Sequence, residues 1–470
     1  MRMWKWWWET VSRLRPACAR TRTFLWLSAC LAGMTARPDL LGVTSIVRGL
    51  GLDEKYYDRI LDFFHSPALD VRKLTRCWAE TVFRVHPDLV RVNGRPVLVG
   101  DGIKVAKSGK KMPGVKLLHQ ESESNTKPEY IMGHSCQAVA VLGRAMQSVF
   151  AIPLCCRIHE GTVFSNRDQK TLLDKMLALL DSIGLEERCF FVADAYYASG
   201  KIVKGLLGQG HHLVTLVRKN AVAYEPAPPR EGPRRPGRPR KYGAKVRLRS
   251  LLEDHDAMEE APSPVYGEKG VTIRFRTLDL LWRPVGIMVR FVLVVHPTRG
   301  SMILMCTDLN LAALEIVRLY GLRFKIEVAF KQALRTLGAY AYHFWMRAMT
   351  PIKKKSGDQY LHRKTYEYRI AVKRKIDAYH RHIQVGLIAQ GLLQCLASSH
   401  PQLVWANFGS WIRTIRPGIP PSEQVTAIAM RNALPEFIAD SPGNQIFAKF
   451  LRERIDTKRV EGLRMLAVNE

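Results

Sequence analysis

Apolar positions in the first 90 residues recur at helical spacing. Leu40, Leu41, Ile46, Val47 and Leu50 form one set, and Tyr56, Tyr57, Ile60, Leu61, Phe63 and Phe64 a second. Between them, Arg48-Gly49-Leu50-Gly51-Leu52-Asp53 supplies glycines for a tight turn and Asp53 as the next N-cap. Two short helices about a glycine turn match a DNA-reading helix-turn-helix, and an ordinary αα-hairpin gives the same pattern. From about residue 93 the period is that of strands: Arg95 to Asp101, Gln137 to Leu142 and Ser148 to Cys156, with a turn at Gly143-Arg144. A helix over about Arg167 to Ile183 follows, then a strand Cys189 to Ala193. A helix over about Ala198 to Leu207 and a strand His212 to Val217 complete the series. Strands alternating with helices predict an α/β fold.

Three stretches interrupt that rhythm. A lysine-rich segment (Lys104, Lys107, Lys110, Lys111, Lys116) reads as a loop after Asp101. Residues 225–243 are dense in proline, glycine and arginine, which blocks regular structure. Within them Pro236-Gly237-Arg238-Pro239-Arg240 resembles an AT-hook laying Arg238 and Arg240 into a minor groove, and a loop touching only phosphates fits equally. Residues 244–300 return to short strands (Val271 to Thr277, Val285 to Val295), a β-rich insertion. After a strand Met302 to Cys306, one helix is expected from about Leu311 to Leu337, with caps at Thr307, Asp308 or Asn310 and a stop at Gly338. Residues 347–382 carry 11 Lys/Arg against three acids, interleaved with Tyr360, Tyr366, Tyr368 and Tyr379. That mixture suits a phosphate backbone with base stacking, or a solvated helix face. Leu387 to Leu396 reads as helical packing.

Composition narrows the partners. The 470 residues hold 72 Lys and Arg against 42 Asp and Glu, a formal charge of +30, which predicts binding to a polyanion, nucleic acid before membrane. The nine cysteines form no Cys-x-x-Cys pair, and Cys155-Cys156 with His159 lacks a partner pair at zinc-finger spacing. The longest apolar run, Phe24 to Met34, is about half the ~20 residues a membrane span needs. The tryptophan-rich start (Trp4, Trp6, Trp7, Trp8) before Arg13 and Arg15 only loosely mimics a signal peptide, so the chain is expected to be soluble and intracellular. No Gly-x4-Gly-Lys-Ser/Thr loop is present, which argues against an ATP-driven enzyme.

The candidate chemistry is acidic. Asp101 ends the apolar run Val97-Leu98-Val99-Gly100, Asp194 ends Phe190-Phe191-Val192-Ala193, and Glu327 lies in the helical segment from Tyr320 to Lys331. A carboxylate ending a buried strand faces the crevice where open α/β sheets bind ligands. Three such oxygen donors suit hard divalent cations. At about 100° per residue, Tyr320, Arg323, Glu327 and Lys331 share one stripe, so Arg323 and Lys331 would grip phosphates flanking Glu327. An amphipathic helix with an ion pair gives the same stripe.

The order Asp, Asp, insertion, then Tyr-x2-Arg-x3-Glu resembles the DDE transposases of bacterial insertion sequences, in the group with a β-strand insertion before the glutamate. The resemblance rests on Gly100-Asp101-Gly102, Ala193-Asp194-Ala-Tyr-Tyr-Ala198, Cys306-Thr-Asp-Leu309 and Leu319-Tyr-Gly-Leu-Arg-Phe-Lys-Ile-Glu327. It covers about 93–340. It implies an RNase H-like mixed-sheet core, here divided as a helical DNA-binding domain (1–90), core (91–218), insertion (219–300), core with the glutamate helix (301–345) and a basic helical region (346–470). It implies that Asp101, Asp194 and Glu327 bind two Mg²⁺ ions, with Mn²⁺ as substitute, one activating the attacking water or 3′-hydroxyl and one stabilising the leaving oxygen. It further implies DNA contacts by Tyr320, Arg323 and Lys331, cleavage and strand transfer at the element's inverted repeats, and a homodimer on paired ends. The location implied is cytoplasmic, at the nucleoid of a bacterium. The group's lysine seven residues after the glutamate is Leu334 here, leaving Lys331 and Arg335 as the nearest cations. Rival readings are a nuclease of the same fold that does not join strands, and a DNA-binding protein without catalysis.

Overall fold

The computed structural model describes residues 3–120, 128–229, 239–409, 411, 413–439 and 445–458. The chain divides into two compact units. One comprises residues 1–90, 102–185 and 326–470, the other 91–101 and 186–325.

The first unit is mainly helical. Helix α1 (Met3–Ser12) carries the tryptophans that open the chain, and Trp4 and Trp7 are buried. Trp4 stacks on Phe437 of α13 (Leu434–Ala439) at 5.3 Å, and Trp8 on Phe447 of α14 (Gln445–Arg452) at 5.2 Å. The segment that mimics a signal peptide is therefore part of a packed core. Helix α2 (Thr21–Ala36) is buried along most of its length, and among the described residues no helix is long and apolar enough to cross a membrane.

Helices α3 (Val43–Gly49) and α4 (Tyr56–His65) flank the expected glycine turn, where Gly51 has φ +61° and Asp53 accepts from the Lys55 N–H at 3.0 Å. Helix α5 (Val71–Val85) is capped by Asp70. The 34-residue α10 (Tyr366–Ser399) packs against α2, α4, α5 and α12 (Glu423–Asn432), with α11 (Pro401–Phe408) following it. Beyond Tyr379 it is buried on nearly every side, and the polar side chains buried with it are bonded, with Arg381, Gln384, Gln390 and Gln394 each donating to a backbone carbonyl.

Beside these helices lie β3 (Lys116–His119), β4 (Tyr130–Ala145) and β5 (Ser148–Ile158), antiparallel in succession, and a short parallel pair, β6 (Thr162–Val163) with β15 (Gln359–Tyr360). The β4–β5 turn falls at Met146 (φ +53°), not at Gly143-Arg144. Gly143 is kept inside β4 because a Cβ there would stand 2.9 Å from the His86 ring. Helix α6 (Leu172–Ile183) starts five residues later than expected, where Thr171 and Asp174 form a capping box.

The lysine-rich stretch is a loop only over residues 107–115, with Lys107, Lys110 and Lys111, while Lys104 lies in β2 (Arg95–Ala106) and Lys116 opens β3. Strand β2 continues past Asp101, because Ile103 and Val105 alternate with exposed positions at strand period. Lys107 is buried, donating to the Tyr340 and Tyr342 carbonyls, and Lys116 pairs with Asp358 at 2.9 Å.

In the second unit, β1 (Arg91–Val92) turns back onto the first half of β2. That half pairs parallel with β7 (Phe190–Ala193), and β7 pairs parallel with β8 (His212–Val217) through the crossover helix α7 (Gly200–Gly208). The insertion strands extend this sheet: β14 (Gly300–Cys306) lies antiparallel on β8, then β13 (Ile287–His296), β12 (Thr272–Trp282), β9 (Val222–Pro226) and β10 (Tyr242–Arg247), with β11 (Glu259–Pro262) also on β12. The proline- and arginine-rich stretch thus begins and ends in strand, Pro226 opposite Tyr242. Arg238 lies outside the described residues; Arg240 is exposed. In chain order the strand β2 is followed by the antiparallel pair β4 and β5 and then by the two parallel strands β7 and β8, as in an RNase H-like core.

Candidate catalytic aspartates and their neighbours

Asp101 and Asp194 are brought together by strand register. Val97, Leu98 and Val99 of β2 face Phe190, Phe191 and Val192 of β7. Asp101 and Asp194 continue that register with the same offset, Asp101 still in strand and Asp194 still extended (φ −75°, ψ 178°). Adjacent strands lie roughly 4.8 Å apart, so the two carboxylates project from neighbouring positions on one face. Gly100 is part of the device: a Cβ there would sit 2.3 Å from Phe191 Cζ, so a side chain would push β2 and β7 apart.

Each aspartate has a defined partner. Asp194 accepts from the Tyr196 N–H at 3.1 Å, and its carbonyl accepts from the Thr215 hydroxyl of β8 at 2.8 Å. Arg323 donates to Asp101 at 2.7 Å, with side-chain exposures of 19% and 16%. Both groups are mostly screened from water, where an ion pair interacts more strongly than at an open surface. Tyr320 joins the group. Burial pushes its hydroxyl pKa up, Arg323 opposes this by charge and hydrogen bond, and Asp194 and Asp101 reinforce it. The Tyr-x2-Arg segment is delivered by α8 (Ala313–Leu322), which buries Ile316, Val317, Leu319 and Leu322 and packs on β7, β8, β13 and β14.

The expected single helix is broken. Helix α8 stops at Leu322 and α9 (Lys325–Arg335) begins after Arg323-Phe324. The Arg323 N–H donates to the Tyr320 carbonyl, an i→i−3 bond at 3.1 Å that tightens the last turn. Gly321 weakens that turn, the Arg323 guanidinium is drawn to Asp101, and Lys325 sits 3.7 Å over the Tyr266 ring. The chain passes from the second unit to the first directly after Lys325. The stripe expected along one continuous helix is therefore divided: Tyr320 lies in α8, Arg323 at its C-cap, and Glu327 and Lys331 in α9. Glu327 is exposed in the first turn of α9, and Lys331, Leu334 and Arg335 are exposed further along it. Among the described residues, no three His, Cys, Asp or Glu side chains gather closely enough to hold a metal ion.

Sequence reasoning overlooked Thr215, which ties the Asp194 backbone to β8; its one signal was a polar residue inside an apolar strand. It also gave the 347–382 cations a common role they do not share. Arg381 is buried, donating to the Leu69 and Phe64 carbonyls at 3.0 and 3.1 Å, and Tyr379 is buried, whereas Lys353, Lys354, Lys355, Tyr360 and Tyr366 are exposed.

Paired aspartates on adjacent parallel strands of an RNase H-like core define a candidate phosphoryl-transfer site. The sequence model of the DDE superfamily endonucleases matches residues 13–277. The chain belongs to that family. The match includes Asp101 and Asp194 and ends before α8. No curated protein matches the sequence. Among solved structures, the chain is similar to the piggyBac transposase in a cryo-EM synaptic complex with hairpin DNA, at 11% identity over 96% of this chain and 84% of that one, with a TM-score of 0.37. That likeness is too slight to carry residue roles onto this chain.

Proposed function

We propose that the protein is a DNA transposase of the bacterial insertion-sequence kind, which binds the ends of its own element, cuts them and joins them to target DNA. The observation that carries the reading is the in-register pair Asp101 and Asp194 in a chain of the DDE superfamily endonucleases. Two adjacent carboxylates are hard oxygen donors, and their chemistry fits Mg²⁺ or Mn²⁺. Asp101 and Asp194 would hold the cations, with Glu327 as third donor. When bound, such cations neutralise charge on a phosphodiester and lower the pKa of the attacking water.

The remaining roles belong to side chains. Arg323 balances Asp101 and fixes its rotamer. Tyr320 closes the apolar side of the pair. Lys331 and Arg335, on the helix that bears Glu327, supply the cationic contacts to DNA that Leu334 cannot. Arg238 and Arg240 contact the backbone of the same DNA. The chain works as a homodimer on paired element ends, in the cytoplasm at the nucleoid.

The test is cleavage of a duplex carrying the element's inverted repeats, with Mg²⁺, Mn²⁺ or EDTA. Wild-type protein is expected to cut and join only with a divalent cation. Asp101→Asn and Asp194→Asn should bind the ends yet lose cleavage, and Arg323→Ala should slow both steps without abolishing metal binding. Cutting without joined products would favour a plain nuclease, which the family's description as endonucleases also accommodates. Full cleavage by Asp101→Asn would remove the assignment.

A further inference from the structure

Within the first unit, a groove of about 460 Å³ opens between α9 and the segment that leads into α12, and none of its lining residues is acidic. Arg413 and Arg416 reach it from the segment, Gln332 from α9, and Ser422 and Gln424 from the start of α12. Neither guanidinium has an ion-pair or hydrogen-bond partner among the described residues, and the Arg416 carbonyl accepts from the Ile419 N–H at 3.0 Å. Buried or half-buried arginines of this unit are engaged instead: Arg37 and Arg381 bond carbonyls, and Arg157 bonds Thr75 and Gln384.

The groove is built rather than accidental. Trp405 of α11 donates to the Ile419 carbonyl at 3.3 Å, tying the segment down. The Thr336 hydroxyl donates to Gln332 Oε1 at 2.6 Å, which turns the amide's NH₂ side outward as a donor. Glu423, the acid in the first turn of α12, accepts from Gln394 at 2.9 Å. Beside the apolar Trp405, Ile419, Pro420 and Val425, what faces the groove is two guanidiniums and an amide donor, each favouring an anion, while Ser422 caps the opening turn of α12. On the same segment Trp411 is 95% exposed, an indole face of the kind on which an unpaired base stacks.

We infer that this groove binds backbone phosphates of an unpaired DNA strand, with Trp411 stacking on one of its bases. The site lies on the unit that carries Glu327. The inference rests on the DNA-transposase reading, and it names a strand-binding surface which that reading leaves open.

The test is fluorescence anisotropy of a labelled single-stranded oligonucleotide with the full-length chain over a salt series, without divalent cation. Arg413→Ala/Arg416→Ala should lower the magnitude of the log–log salt slope by about 1.4, since each phosphate contact on a single strand contributes roughly 0.7. Trp411→Ala should weaken binding about tenfold with the slope unchanged. All three residues are exposed, so these changes leave the core intact. Wild-type binding with an unchanged slope in the double variant, or unchanged affinity in Trp411→Ala, overturns the groove assignment alone. No binding by the wild-type chain to single-stranded or duplex DNA overturns it together with the functional reading.

Discussion

The two units use their positive charge differently. In the second, cations meet carboxylates at or near the surface: Arg290 with Asp279, Arg274 with Glu260, Arg276 with Asp254. In the first, the buried cations meet backbone carbonyls instead, as Arg37, Lys107 and Arg381 do. The count of 72 Lys and Arg therefore overstates the cations offered to a polyanion. Some satisfy carbonyls at helix ends and turns, and some are cancelled in pairs. The comparison also sets Asp101–Arg323 apart from those three pairs. It is more shielded than any of them, and it stands beside a second carboxylate.

The largest test asks whether the first unit contributes to the chemistry at all. Glu327→Ala should cut cleavage of element ends on the order of a thousandfold, as loss of a preorganised electrostatic group at a reacting centre does, while anisotropy still reports end binding. An unimpaired Glu327→Ala protein would confine the chemistry to the second unit.

A paired experiment then separates cations that fold the chain from those that face DNA. Arg381→Met strands two buried carbonyls and should lower stability by about 2–4 kcal/mol in urea unfolding, with the salt slope of DNA binding unchanged. Changing Lys353, Lys354 and Lys355 together to Ala should do the reverse, with stability within about 0.5 kcal/mol and a slope lower by up to roughly 2.7 on duplex DNA. A fallen slope in Arg381→Met would erase the distinction between the two groups.

The smallest effect concerns Lys107, whose pKa burial lowers from 10.5 to about 8. Between those values the unfolded chain holds a proton that the native chain has released, so native stability rises as pH climbs from 8 towards 10.5; below 8 the penalty is fully present. From pH 7.5 to 9.5, wild type should gain about 1–2 kcal/mol relative to Lys107→Met in urea midpoints.

Much of this was legible in the sequence. The strands bearing Asp101 and Asp194, the crossover helix and the helices around Gly51 follow from apolar periodicity. What periodicity could not give is register, which depends on pairing over 93 positions, and it is register that sets the two aspartates side by side. The break at Arg323-Phe324 was equally hidden, because the segment from Ala313 to Arg335 keeps good helical period throughout. Tertiary partners decide it, Asp101 for Arg323 and Tyr266 for Lys325. The roles of Lys107 and Arg381 were hidden for a related reason. A cation on a basic stretch looks solvated until the carbonyl it reaches is known.

Strand β10 ends the sheet order among the described residues, with its outer backbone groups open to pairing. Such an edge is a template for another chain. Here it is blunted by exposed Lys245 and Arg247 and by a register irregularity between Tyr242 and Lys245, where Gly243 crosses tightly over the Pro226 carbonyl. The charges of the strand that follows the proline- and arginine-rich stretch thus guard against self-association. Engineering that replaces these charges with β-branched residues would open the edge to a second chain, and solubility would be the first property lost.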